Sequence, residues 1–253
     1  MAPSNSNDNL PTASAWMREL FRGHGRWVSL AALATVIVQI STAGLAWRMD
    51  VPADRLTVGT LAVATLWVAL TAGPLAAGAQ TALGSILRGG VVVDASIPVL
   101  VLLAAAGPVT VLGAIEVYCI LAAVALSAIA LVRIAGTAWG RCALATVASV
   151  LLFVLLASPV WAGALLTTGG GAARRWVARL VVAVNPFYAV ASATAESTGF
   201  VWHEAPLMYS LTPLGRHVVA PSPPWYATVV IYACVAAMFA GVAIVRKNRP
   251  AGR

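Results

Sequence analysis

Few side chains in this sequence can do acid–base, metal or nucleophilic chemistry, and they are widely spaced. Only 9% of the 253 residues are charged. His203-Glu204 opens like a zinc-protease signature, but that motif needs a second histidine one helical turn on, and Leu207 stands there. His203 and His217 both fall in the long outer segment "ESTGFVWHEAPLMYSLTPLGRH", where surface histidines are expected rather than a metal site. Gly169-Gly170-Gly171 has no Lys-Ser/Thr after it, so it reads as a flexible connection and not as a phosphate-binding loop. Cys119, Cys142 and Cys234 form no C-x-x-C pair and read as small buried hydrophobes. Catalytic residues, resident cofactors and metal ligands are therefore all expected to be absent. Of the eight carboxylates, Asp94 and Glu116 lie in apolar surroundings.

Those surroundings define the class of the protein. Hydrophobic residues make up 60% of the chain and the mean hydropathy is +0.89. A soluble domain usually carries about 25% charged residues. Several runs of roughly 20 apolar residues are long enough to cross the hydrocarbon core of a bilayer. The expected fold is all-α, a polytopic membrane helix bundle with the lipid bilayer as its solvent.

Six spans are expected: Trp27–Trp47, Leu56–Ala77, Val91–Ala106, Val109–Val132, Cys142–Leu166 and Tyr226–Val245. Tryptophans at 27, 47, 161 and 225 sit near span ends, as interface anchors do. Ahead of the first span, "SAWMRELFRGHGR" places Trp16, Met17, Leu20 and Phe21 on one helical face, a pattern suited to the membrane interface. No signal peptide is expected, because the first apolar run starts after about 26 residues and carries no cleavage site. The chain thus divides into a tail with an interfacial helix (1–26), a six-span domain (27–245) with an outer segment (about 168–224), and a basic tail (246–253).

Sixteen Lys and Arg against eight Asp and Glu invite a nucleic-acid reading, but no basic patch interleaved with aromatics on a soluble fold accompanies them. In a membrane protein, basic residues set orientation instead. With six spans, ten basic residues share a side with the termini and six lie opposite, which predicts both termini in the cytoplasm. A seven-span alternative would place the basic C-terminal tail outside. On the six-span layout, Glu116 lies about two turns inside the fourth span. It serves either as an ion-pair partner for an outer arginine such as Arg174 or as a polar point on a transport path. Asp94, near the start of the third span, is expected to reach the headgroups.

"RRWVARLVVAVNPFYAVASATA", residues 174–195, interrupts an apolar run with Asn185-Pro186. Proline has no N–H and crowds the carbonyl one turn back, that of Val182. Freed backbone groups at membrane depth persist only where protein or water satisfies them. A half-inserted or outer-leaflet helix that turns at Asn185-Pro186 and packs on the bundle is expected, the alternative being a proline-kinked crossing helix.

"VNPFYAVASA", Val184 to Ala193, between a fifth and a final span, resembles a segment of ABC-2 type transporter permeases. The interfacial helix, six spans and cytoplasmic termini are similar too. The resemblance implies an outer broken helix carrying Asn185, Pro186, Phe187 and Tyr188. It also implies a second permease copy or paralogue as partner and a separate ABC ATPase subunit that binds the ATP. The family's charged coupling stretch between spans two and three usually ends in Arg-Gly. The corresponding place here reads "ALGSILRGGVVVDASIP", so Arg88 and Gly89 stand in the coupling position without the usual acidic residues. The implied function is the permease subunit of an ATP-driven exporter in the inner or plasma membrane. The rivals are a non-transporting scaffold and an intramembrane enzyme, which would need paired polar groups at one depth.

Overall fold

The computed structural model describes residues 25–158, 161, 171–198 and 224–248. Among these there is no strand. The helices are α1 (Gly25–Arg48), α2 (Ala53–Ala77), α3 (Ala82–Asp94), α4 (Ile97–Ala105), α5 (Val111–Arg133), α6 (Ala138–Leu156), α7 (Gly171–Val184), α8 (Pro186–Thr198) and α9 (Trp225–Asn248). Six stretches are long and apolar enough to cross a membrane: α1, α2, α3 with α4 taken together, α5, α6 and α9. The protein is an all-α, multi-pass membrane bundle, as its composition requires.

Local chemistry starts and stops these helices. Three spans open on the same device, a threonine whose hydroxyl accepts the N–H of a glycine three residues on: Thr81 from Gly84, Thr110 from Gly113 and Thr137 from Gly140. Each caps one of the donors that a helix start leaves unpaired. Within the spans, hydroxyls bond back to their own helix, as Thr35 does to Ala31 O, Thr60 to Leu56 O and Thr65 to Leu61 O. That keeps polar atoms compatible with an apolar setting.

Lipid tails are as apolar as leucine, so these helices are held together by close packing and by hydrogen bonds between them. α5 is the hub and packs against α2, α3, α4, α6, α8 and α9. Its buried face runs through Val117, Ile120, Leu121, Val124, Ala128 and Val132. Small residues let backbones approach. A Cβ built on Gly73 of α2 would lie 3.6 Å from Ala145 O and 3.7 Å from the Ala148 side chain of α6. α1 lies at the edge, joined to the rest by Trp67 Nε1 donating to Thr35 Oγ1 (2.9 Å) and Gln39 Nε2 donating to Ser96 Oγ (2.8 Å).

Two span boundaries differ from the sequence expectation. The third span begins at Ala82, not Val91, because "ALGSILRGG" is helical and Arg88 is tucked into the bundle rather than left in a loop. The fifth runs Ala138–Leu156 rather than Cys142–Leu166, capped at its start by Thr137. Cys142 and Cys234 are exposed and Cys119 is only partly covered, so the thiols do not fill the core; a thiol is apolar enough to face lipid. The amphipathic stretch from Trp16 to Phe21, His203, His217 and residues 249–253 lie outside the described residues.

Candidate functional site

Three places gather polar groups that the apolar bundle does not need for packing. The first is the α2–α3 turn at one end. α2 finishes with unpaired carbonyls, which attract cations. Arginines from three helices supply them: Arg88 Nη1 donates to Gly78 O (2.9 Å), Arg141 Nε to Ala77 O (3.1 Å) and Arg133 Nη1 to Gln80 O (3.2 Å). At the same end Arg246 Nη1 reaches Ile134 O at the end of α5 (3.1 Å). Arg88 is 4% exposed, nearly two turns inside α3, and it reaches back along its apolar stem to the turn. Gly89 beside it sits where α3 presses on α2 and α5: a Cβ there would lie 2.6 Å from Ile129 Cδ1 and 3.0 Å from Ala72 O. Arg88 and Gly89 are thus packed and bonded inside the bundle, not displayed on a loop.

The second is the break between α7 and α8. Asn185 is fully buried. Its Nδ2 donates to Leu155 O (3.0 Å), Leu156 O (3.2 Å) and Ser158 Oγ (3.0 Å), which ties the break to the end of α6. Its Oδ1 accepts the Phe187 N–H (2.9 Å), making it the cap of α8, where Pro186 takes the first helical position. Tyr188 N–H turns to Asn185 O (3.2 Å). The carbonyls of Ala183 and Val184, deprived of those two donors, accept instead from Thr228 Oγ1 (3.0 Å) and Tyr232 OH (3.1 Å) of α9. The partners of these two carbonyls and of the Asn185 side chain therefore all come from protein, as an apolar setting requires. Tyr188 is fully buried and stacks edge-on with Phe187, ring centroids 5.8 Å apart. α8 then runs back against α5, α2 and α9, and a Cβ on Gly113 of α5 would lie 2.9 Å from Ala193 O. The turn at Asn185-Pro186 is present, and the unbroken kinked helix is not.

The third was not expected. The third span is interrupted between α3 and α4, where Pro98, four residues after Asp94, cannot donate to the Asp94 carbonyl. Ser96, buried at the break, accepts from Gln39 Nε2 and donates to Val92 O (3.2 Å). Gln39 is itself fully buried, and its Oε1 has no hydrogen-bond partner among the described residues. Asp94 is not near a span end: it is the thirteenth residue of α3 and lies mid-span. Its Oδ1 accepts the Tyr118 hydroxyl of α5 at 2.8 Å. Tyr118 also lines a cavity of about 480 Å³ between α4 and α5, whose other walls are apolar. Starting the third span at Val91 is what moved Asp94 to the headgroups; Pro98 was the signal for a break beside it.

Glu116 lies half-buried in the second turn of α5 and is engaged by another group. The side chain of Arg174, its expected partner, is outside the described residues. Among the described residues no three His, Cys, Asp or Glu side chains come together as metal ligands would. The structure does not bring Arg88, Asn185 and Glu116 into one pocket. Arg88 sits at one end with the α2–α3 turn, while Asn185 and Glu116 belong to the opposite half, with the end of α6 and the start of α5.

No protein family, curated protein or solved structure matches this chain. The functional reading therefore rests on the geometry and on the resemblance carried by residues 184–193.

Proposed function

We infer that this chain is the membrane-spanning permease subunit of an ABC-2-like ATP-driven exporter. It works as a dimer, with a second copy or a paralogue, and with a separate ABC ATPase that binds the nucleotide. It resides in the inner or plasma membrane with both termini cytoplasmic. The observation that carries the reading is the break at Asn185. Ahead of the last span, on the side away from the termini, a short helix ends, turns and packs back on the bundle, as the resemblance leads one to expect.

The α2–α3 turn supports the same reading at the other end. A partner pressing on this turn would meet carbonyls clamped by arginines from α3, α5 and α6. Push or pull there is shared at once by three spans, the requirement for biasing a bundle between two arrangements. Arg88 would act in this from inside, by shaping the turn. The coupling position lacks the family's acidic residues, and that favours a non-transporting scaffold as the second reading.

One experiment separates them. The intact chain is captured by an affinity tag in mild detergent, and ATP hydrolysis is assayed on what comes with it. The exporter reading expects co-purifying ATPase activity that Arg88→Glu diminishes and Arg216→Glu, in the segment far from the turn in sequence, leaves intact. No nucleotide hydrolysis under any of several mild detergents overturns it in favour of the scaffold.

A further inference from the structure

Asp94 sits where a carboxylate is hardest to keep. Twelve residues of helix separate it from the start of α3 and eleven from the end of α4, about 18 Å and 16 Å at helical rise. That is the centre of a ~30 Å hydrocarbon layer. An aspartate at this depth is costly to insert, and such residues face a partner or a cavity. Among the described residues the one partner is the Tyr118 hydroxyl, and no basic side chain pairs with Asp94. The carboxyl group is exposed on the bundle surface. Its packing role is slight, because a Tyr–Asp bond is not needed to join α3 to α5, which already meet through Val92, Val93 and Gly89.

Beside it opens the cavity between α4 and α5. Ile97, Leu100 and Val101 form one wall, Val111 and Ile115 the other, with Tyr118 at the Asp94 end. The space exists because α4 has only nine residues and turns through Gly107 at φ 90°, and because alanines at 104, 105 and 114 leave the facing positions unfilled. Its volume of about 480 Å³ falls among ligand pockets, which are apolar slots with one or two polar groups that fix orientation, of roughly 300–1,000 Å³. A neutral acyl chain would fill the slot but leave the carboxyl without a counter-charge. An anionic lipid headgroup would be repelled.

We propose that Asp94 and the α4–α5 groove bind a lipophilic amine: an alkyl chain in the slot, its ammonium group on the Asp94 carboxylate beside the Tyr118 hydroxyl. Binding by the chain alone does not depend on the exporter reading. If that reading holds, the same chemistry names the substrate class.

The test uses the full chain in phosphatidylcholine nanodiscs and tritiated dodecylamine, with tritiated dodecanol and dodecanoate as chain-matched controls. Empty nanodiscs give the partitioning background. Dodecylamine should bind saturably, one per chain, and at least about tenfold more tightly than dodecanol, the difference that about 1.4 kcal/mol of charge recognition makes. Asp94→Asn, close in shape, should weaken the amine at least tenfold and leave dodecanol unchanged. Ala104→Leu fills the slot without touching Asp94 and should abolish binding of amine and alcohol alike, so the proposal stays testable if the aspartate variant fails to fold. Equal binding of amine and alcohol would mean the groove simply lodges acyl chains and would overturn the proposal. So would full amine binding by Asp94→Asn, or no saturable binding above empty nanodiscs, the result expected if a second copy of the chain covers the groove.

Discussion

Asn185 uses both halves of its side-chain amide at once. Its amide hydrogens are shared among two carbonyls and a serine hydroxyl at the end of α6, while its oxygen caps α8. Aspartate could cap but not donate, and it would set a carboxylate against two carbonyl oxygens. Asn185→Ala is expected to lower stability by about 1–3 kcal/mol, the cost of leaving buried partners unmatched, and Asn185→Asp should do at least as much damage. Pro186→Ala should cost less. The bonds from Thr228 and Tyr232 and the Asn185 cap hold the turn without the ring, so removing proline does not by itself fuse α7 to α8. Thermal unfolding in nanodiscs ranks the three; a larger loss for Pro186→Ala than for Asn185→Ala would show that the ring, not the amide, makes the break. The break was legible because proline's missing N–H is a local fact. Its supports were not, since Thr228 and Tyr232 lie 45 and 48 residues from the carbonyls they serve. For Asp94 the local fact was present as well, in Pro98. Its meaning depends on where the span starts: from Val91, Asp94 falls near a span end, and only from Ala82 does it lie mid-span beside the break.

At the scale of elements, apolar length found all six spans, since crossing a hydrocarbon layer sets a minimum that few other segments meet. Their ends were less legible. A buried arginine counts against helix burial in any hydropathy pattern, yet Arg88 is accommodated because the open carbonyl of Gly78 lies within reach of its long side chain. The adjoining glycines separate the packing role from mere flexibility. Gly89 has Ile129 and the Ala72 carbonyl against its empty Cβ position, whereas nothing lies within 4 Å of that position on Gly90. Gly89→Ala should therefore force α3 off α2, because a backbone oxygen cannot move aside as a side-chain methyl can, at a cost of about 1–3 kcal/mol. Gly90→Ala should be neutral or gain about 0.5–1 kcal/mol from helix propensity. Unfolding midpoints of the two variants decide this, and equal effects would show that α3 does not pack at Gly89 as described.

For the whole molecule, the arrangement of charge makes orientation testable. Among the described residues, Arg26, Arg88, Arg133, Arg141, Arg246 and Lys247 belong to the end where α2, α5 and α9 finish. Arg48, Arg55, Arg174, Arg175 and Arg179 belong to the other, which also carries Asp50. Short basic loops are retained in the cytoplasm, so the first end should face inward. The arginine-rich α7 opposes that bias: its basic residues at 174, 175 and 179 alternate with Trp176 and Leu180, which are exposed from the bundle. A helix of this pattern lies in the interface and is not counted as a loop, which leaves the inward bias standing. The check replaces Cys119, Cys142 and Cys234 with alanine and places single cysteines at Ser197, in α8, and at Asn248, the last residue of α9. A membrane-impermeant maleimide on intact cells should label the first and spare the second until the membrane is opened. Labelling at 248 alone would invert the protein. Labelling at both in intact cells would put an odd number of crossings between the two positions out of reach, and the six-span fold would have to give way.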